Sequence, residues 1–205
     1  IAAAPFIGMI LSLPLVHYTA GKGLKKSFCS AIPSLLAAFC LIIGAWAPSL
    51  EFYALMITIS YICRSAAIPY LTSIYNDNYP HDKRGKTFSK PLLLTVAISS
   101  LFGFAGSLLL EKNIAHFSWI FTMVGICALA KAWAISSMPS KVNEKTSHNN
   151  PFGNFQYILK DRAFGYVLLT WFIMGFANLW VLPLRVDYVA SSIYGIEASP
   201  LIVAL

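Results

Sequence analysis

The stretch FYALMITISYICRSAAIPYLTSIY, residues 52–75, decides the fold: it is 24 residues long and holds a single charge, Arg64. A helix needs about 20 residues to cross a hydrocarbon layer roughly 30 Å thick, and a buried helix of a water-soluble protein is usually shorter. Five more apolar runs surround this one: Ile1 to Thr19, Ser27 to Trp46, Pro91 to Leu110, Phe117 to Met138 and Phe164 to Leu184. The whole chain is 58% hydrophobic and only 11% charged, against about 25% charged residues in an ordinary soluble domain. The pattern predicts an all-α polytopic membrane protein with transmembrane helices.

Charge follows the loops. The net charge of +7 would elsewhere hint at nucleic acid, but these basic residues flank membrane runs, so no nucleic-acid partner is expected. Lys22, Lys25 and Lys26 follow the first run, and Ala47 to Glu51 carries no Lys or Arg. The next loop has Lys83, Arg84, Lys86 and Lys90, the one after it only Lys112, and the last connection Lys141, Lys145, Lys160 and Arg162. By the positive-inside rule the first, third and fifth loops are cytoplasmic. Trp46, Phe52, Tyr53, Phe117 and Trp119 flank the two outer turns, as an interfacial aromatic belt or as ordinary packing residues.

Catalysis is not indicated. Cys29, Cys40, Cys63 and Cys127 lie inside apolar runs without metal-ligand spacing and read as buried small residues. The chain has no phosphate-cradling GxxxxGK[ST], no GxSxG and no HExxH, so no enzyme, cofactor or metal is expected. Its beginning inside one apolar run and its end as Pro200 to Leu205 open another read as a fragment.

Small residues recur every four positions at Ser30, Ser34 and Ala38 in the second run and at Ser99, Gly103 and Ser107 in the fourth. Such stripes let helix backbones approach closely in lipid. The polar connection from Pro139 to Arg162 reads as a linker between two bundles. Within it Phe155, Ile158 and Leu159 have the spacing of a short helix on the cytoplasmic face, with a disordered tether as the alternative.

Arg64 stands near the middle of its run, where a guanidinium costs roughly 2.5 to 3.5 kcal/mol on insertion scales. Three roles fit it: a substrate or coupling contact, a structural ion pair, or snorkelling. Tyr61 shares its face. Lys131 is nearer the inner end of the fifth run, where its stem can snorkel or pair locally, or touch cargo. No Asp or Glu occupies the middle of any run.

From Arg64 to Ser89 the chain reads RSAAIPYLTSIYNDNYPHDKRGKTFS. Its core Asp77-x-x-Pro80-x-x-x-Arg84-Gly85 resembles the acidic-x-x-Pro-x-x-x-Arg-Gly signature of the major facilitator superfamily, which lies in the cytoplasmic loop between helices 4 and 5. Lys160-Asp161-Arg162-Ala163-Phe164, with Trp171-Phe172, Gly175-Phe176 and Pro183-Leu184-Arg185, is similar to the helix 7 region of bacterial transporters of this type. The resemblance makes residues 1–138 the N-terminal bundle, helices 2 to 6. Residues 139–163 become a cytoplasmic linker, and residues 164–205 helix 7 and the start of helix 8. There are departures: His17 to Lys26, HYTAGKGLKK, lacks the Asp usual after helix 2, and Ala67 and Ile68 stand where helix 4 often has Gln and Gly. Gly103-Phe104-Ala105-Gly106 lacks the Gly-Pro pair of drug antiporters.

The resemblance implies a transporter moving a small-molecule substrate by alternating access in a bacterial inner (plasma) membrane. Lipid would surround it, and a coupling ion is compatible with it. Cavity candidates are Arg64, Tyr61, Trp171 and Asn178, the last two on a stripe with Met174. Asp77, Pro80, Arg84 and Gly85 would form a cytoplasmic latch. A non-transporting receptor or scaffold is the alternative, and an integral-membrane enzyme a weaker third.

Overall fold

The computed structural model describes residues 3–80, 82, 84–113, 116–144 and 160–190. Their regular structure is helical: α1 Ala4–Thr19, α2 Lys26–Ala45, α3 Leu50–Ala66, α4 Ile68–Asn78, α5 Arg84–Lys112, α6 Phe117–Ser136 and α7 Arg162–Ala190. Four spans are long and apolar enough to cross a membrane, namely Lys26–Ala45, Leu50–Asn78, Ser89–Lys112 and Phe117–Ser136. They mark the chain as an all-helical membrane protein. Ala4–Thr19 and the apolar stretch Arg162–Ala177 are shorter.

Local chemistry sets the helix ends. Gly21 and Gly23, at φ 75° and 72°, turn the chain between α1 and α2 in a conformation that side chains with a Cβ resist. Ser49 caps α3 by accepting the Phe52 N–H at 3.2 Å. The 52–75 run, expected as one helix, is two. Pro69 has no N–H to give the Ser65 carbonyl, and the break falls at Ala67, whose backbone stays close to helical. Leu50–Asn78 therefore remains one 29-residue span. Tyr79 is extended (φ −121°, ψ 129°), as the residue before a proline prefers, and this ends α4 at Asn78.

By packing, the chain divides into two compact units. In Ile1–Leu93 with His116–Pro151, α2 is the central element, packed against both α3 and α6, while α1 lies on α3. The core between them is made mostly of small residues, among them Cys29, Ser30, Ala31, Ser34, Ala37, Ala38, Ala66 and Ala132, with Ile57, Tyr70, Ile74 and Ile135 as its large members. A methyl group added at Gly125 of α6 would strike the Ile42 side chain, and one at Gly8 of α1 would strike the Ile62 carbonyl. Hydroxyls link the backbones: Ser60 Oγ donates to the Ala37 carbonyl at 2.9 Å. At the far end of α2, Trp46 meets Trp119 edge-on at 5.5 Å and donates from Nε1 to Thr122 Oγ1 at 3.0 Å. Trp46 with Trp119, and Tyr53 with Phe117, thus pack on one another across the two turns expected to be outer. Cys29 and Cys40 are buried as expected, whereas Cys127 is exposed. It is apolar enough to face lipid, and sequence alone does not separate that face from a core.

The other unit, Leu94–Ala115 with Phe152–Leu205, holds most of α5 together with α7. Asp161 Oδ1 accepts the Phe164 N–H at 3.1 Å and caps α7. Both helices expose large apolar side chains, such as Leu101, Phe102, Phe172 and Ile173. The interfacial helix expected around Phe155 to Leu159 lies outside the described residues.

Candidate functional site

Polar side chains collect where the α1–α2 turn, the end of α4 and the end of α6 meet, the end expected to be cytoplasmic. Lys26 Nζ donates to Asp77 Oδ2 at 2.7 Å, with both side chains largely covered (16% and 18% exposed). Each charge sits at the unfavourable end of its own helix: an ammonium at the positive N-terminus of α2, a carboxylate in the negative last turn of α4. Pairing across the two helices offsets both penalties. Among the described residues this is the one ion pair.

The chain beyond α6 closes the same end. The residue before α2 is Lys25, which offers no capping side chain, so the first N–H groups of α2 need other acceptors. Residues 139–144 supply them. The Lys26 N–H reaches the Lys141 carbonyl at 3.1 Å, and the Ser27 N–H reaches Ser140 Oγ at 3.1 Å. Ser140 Oγ in turn donates to Ser27 Oγ at 2.9 Å. Asn143 is buried. Its N–H goes to the Leu24 carbonyl and its carbonyl accepts from Gly21, both at 2.9 Å. Its amide Nδ2 donates to Thr19 Oγ1 at 3.0 Å, and Thr19 Oγ1 shares a 2.6 Å hydrogen bond with Tyr70 OH. Asn78 Nδ2 completes the knot on the Pro139 carbonyl at 2.8 Å. The first residues of the expected linker are thus a strap bound to the bundle.

Of the latch residues expected from sequence, Asp77 is engaged with Lys26. Pro80 follows the end of α4, and exposed Gly85 opens α5 beside Arg84, whose side chain lies outside the described residues. Lys26 reads in sequence only as one of three lysines that orient a loop. What joins it to Asp77 is the packing of α2 on α4. For Asn143 no sequence signal exists beyond a polar residue in a polar segment.

The cavity candidates fall in different units. Arg64 occupies the last turn of α3 with its side chain exposed, and Tyr61, one turn earlier, is 41% exposed. Lys131 of α6 is exposed as well. Trp171 is exposed on α7; Asn178 lies on the same helix, its side chain outside the described residues. Ser30, Ser34 and Ala38 are all buried, as a packing stripe requires. Comparison of the chain with protein families, with curated proteins and with solved structures finds no match, so these residues themselves carry the functional reading.

Proposed function

We propose that the protein is a transporter of the major facilitator type, moving a small solute across a bacterial inner membrane by alternating access between two helical bundles. The observation that carries this reading is the covered Lys26–Asp77 pair beside the loop whose Asp77-x-x-Pro80-x-x-x-Arg84-Gly85 spacing resembles that family's signature. A charge pair set among hydrogen bonds at one end of a membrane bundle is a device that can be made and broken as halves rock. Asp77 holds Lys26 in the described conformation and gives it up in the other, with Arg84 as the exchanging cation. The strap keeps the ends of α1, α2 and α6 together while this happens. Solute would bind near the midplane, where such folds place their sites; Arg64 and Tyr61 stand near the middle of the Leu50–Asn78 span, which supports this.

The test uses full-length protein in lipid vesicles. Lys26→Ala and Arg84→Ala should each change the balance of inward and outward accessibility and cut solute flux severalfold, with membrane insertion unchanged. Wild-type flux and accessibility in both variants would reduce the loop to an orientation signal and remove the latch.

A further inference from the structure

The strap that closes the first turn of α2 also fixes a cation there. Lys25 and Val142 form an antiparallel bridge, made by the Lys26 N–H on the Lys141 carbonyl at 3.1 Å and the Asn143 N–H on the Leu24 carbonyl at 2.9 Å. The Lys25 carbonyl accepts the Cys29 N–H at 3.1 Å, so the Lys25 backbone is held by the strap on one side and by its own helix on the other. Residues directly opposed in such a pair put their side chains on one face, about 5 Å apart. Lys25 and Val142 are both exposed and share that outward face. Three residues before Lys25, the Lys22 ammonium lies over the Tyr18 ring, 3.0 Å from its centroid.

Beyond Lys25 the outer side of α2 is apolar. Phe28, Ile32, Leu35, Leu36 and Phe39 are between 37% and 52% exposed and recur at the three- and four-residue steps that keep side chains on one helix face. The opposite face, with Ser30, Ser34 and Ala37, is buried in the bundle. From Phe28 to Phe39 the stripe runs about 16 Å, half of a hydrocarbon layer roughly 30 Å thick. It has the depth of one leaflet, with a cation at its polar end. Lys22, Lys25 and Lys141 are exposed, and none of them forms an ion pair with a described residue. Asp77 is taken by Lys26, and the exposed Glu144 on the strap offsets only one of the three charges.

We propose that this edge of the bundle binds one anionic phospholipid, its phosphate on Lys25 and an acyl chain along the α2 stripe. The ammonium gives the phosphate a charge-assisted hydrogen bond, and Lys22 adds a second attraction from the same turn, as clustered basic residues beside a membrane helix do. Because the strap already holds the Lys25 backbone, little ordering remains to oppose binding. The exposed Val142 extends the apolar surface beside the headgroup. A free phosphate would use only the cation and a neutral lipid only the stripe; an anionic lipid uses both. Such a site is independent of whether the chain transports.

The experiment titrates purified full-length protein in detergent with phosphatidylglycerol, with phosphatidylcholine of the same acyl chains, and with glycerol phosphate. Thermal stabilisation gives the half-maximal concentration, and native mass spectrometry counts the lipids retained. Wild type should retain one phosphatidylglycerol and respond to it at a concentration at least about fivefold lower than to phosphatidylcholine, the worth of one lysine beside an anionic headgroup. Lys25→Gln should abolish that preference, and Lys25→Arg should keep it within about twofold. Phe39→Ala should weaken retention of both lipids, and Asn143→Ala, which unhooks the strap, should weaken the preference with Lys25 still present. Lys90→Gln, at an exposed lysine of α5, should change nothing. Equal responses to the two lipids, or an equal loss in Lys90→Gln and Lys25→Gln, would overturn the site in favour of unspecific attraction to the membrane. Stabilisation by glycerol phosphate at the same concentration would overturn it in favour of a free anion.

Discussion

Two helices carry the same small-residue spacing and use it differently. In α2, Ser30, Ser34 and Ala38 are buried, and α3 and α6 pack closely on that helix. In α5, Ser107 is buried, but a methyl group at Gly103 would meet nothing within 4 Å, and Ser99 is exposed. A stripe of small residues permits close approach without guaranteeing it. What α2 has in addition is a chemical complement on its neighbours: Gly125 opposite Ile42 and Ala38, Ser60 bonded to Ala37, and a strap that caps its first turn. The helix with complements becomes the core of its unit, and the helix without them shows an apolar surface on most sides.

The largest expected effect tests that contrast at its centre. Ala38→Leu adds three carbons at a position with no exposed area and should destabilise by about 3 kcal/mol, since overpacked cores cost roughly that much. Gly103→Leu should change stability by less than ~0.5 kcal/mol, as substitutions away from packed features do. Thermal unfolding of the purified protein in one detergent compares them directly. Equal losses would mean that the α5 stripe is packed as tightly as that of α2.

A smaller effect sharpens the contrast at the helix end. Ser140→Ala removes the acceptor for the Ser27 N–H, and Asn143→Ala removes the donor to Thr19. Each should cost about 1 kcal/mol, in the range of a lost cap or a buried hydrogen bond. Hydrogen exchange at the Lys26 and Ser27 amides should quicken in both variants. Unchanged exchange would show that α2 holds its first turn without the strap.

What was legible in the sequence follows the physics of each feature. Apolar length and loop charge are local properties, so α2, α5 and α6 lie close to the runs read from sequence, as does the aromatic cluster around Trp46 and Trp119. Pro69 was visible within the 52–75 run, but a proline near a span's middle can kink or divide it, and only the packed backbone puts the break at Ala67. The Lys26–Asp77 pair joins residues 51 positions apart, and the Ser27–Ser140 contact joins residues 113 apart. No periodicity encodes such contacts. In sequence, residues 139–144 read only as the start of a linker between two bundles, because polar composition describes a solvated tether and a hydrogen-bonded strap equally well. Cys127 was read as buried because lipid and protein core select the same apolar side chains.

Under the proposed alternating access, the face bearing Arg64 and Tyr61 would open to both sides of the membrane in turn. In full-length protein lacking Cys29, Cys40, Cys63 and Cys127, a single cysteine placed by Tyr61→Cys can be challenged with a membrane-impermeant maleimide. It is applied from outside in right-side-out vesicles and from inside in inverted ones. Alternating access predicts labelling from both sides, with single cysteines at positions 49 and 86 labelling from opposite sides as controls. Labelling of position 61 from one side only, or from neither, with the controls behaving as stated, would contradict the transporter account.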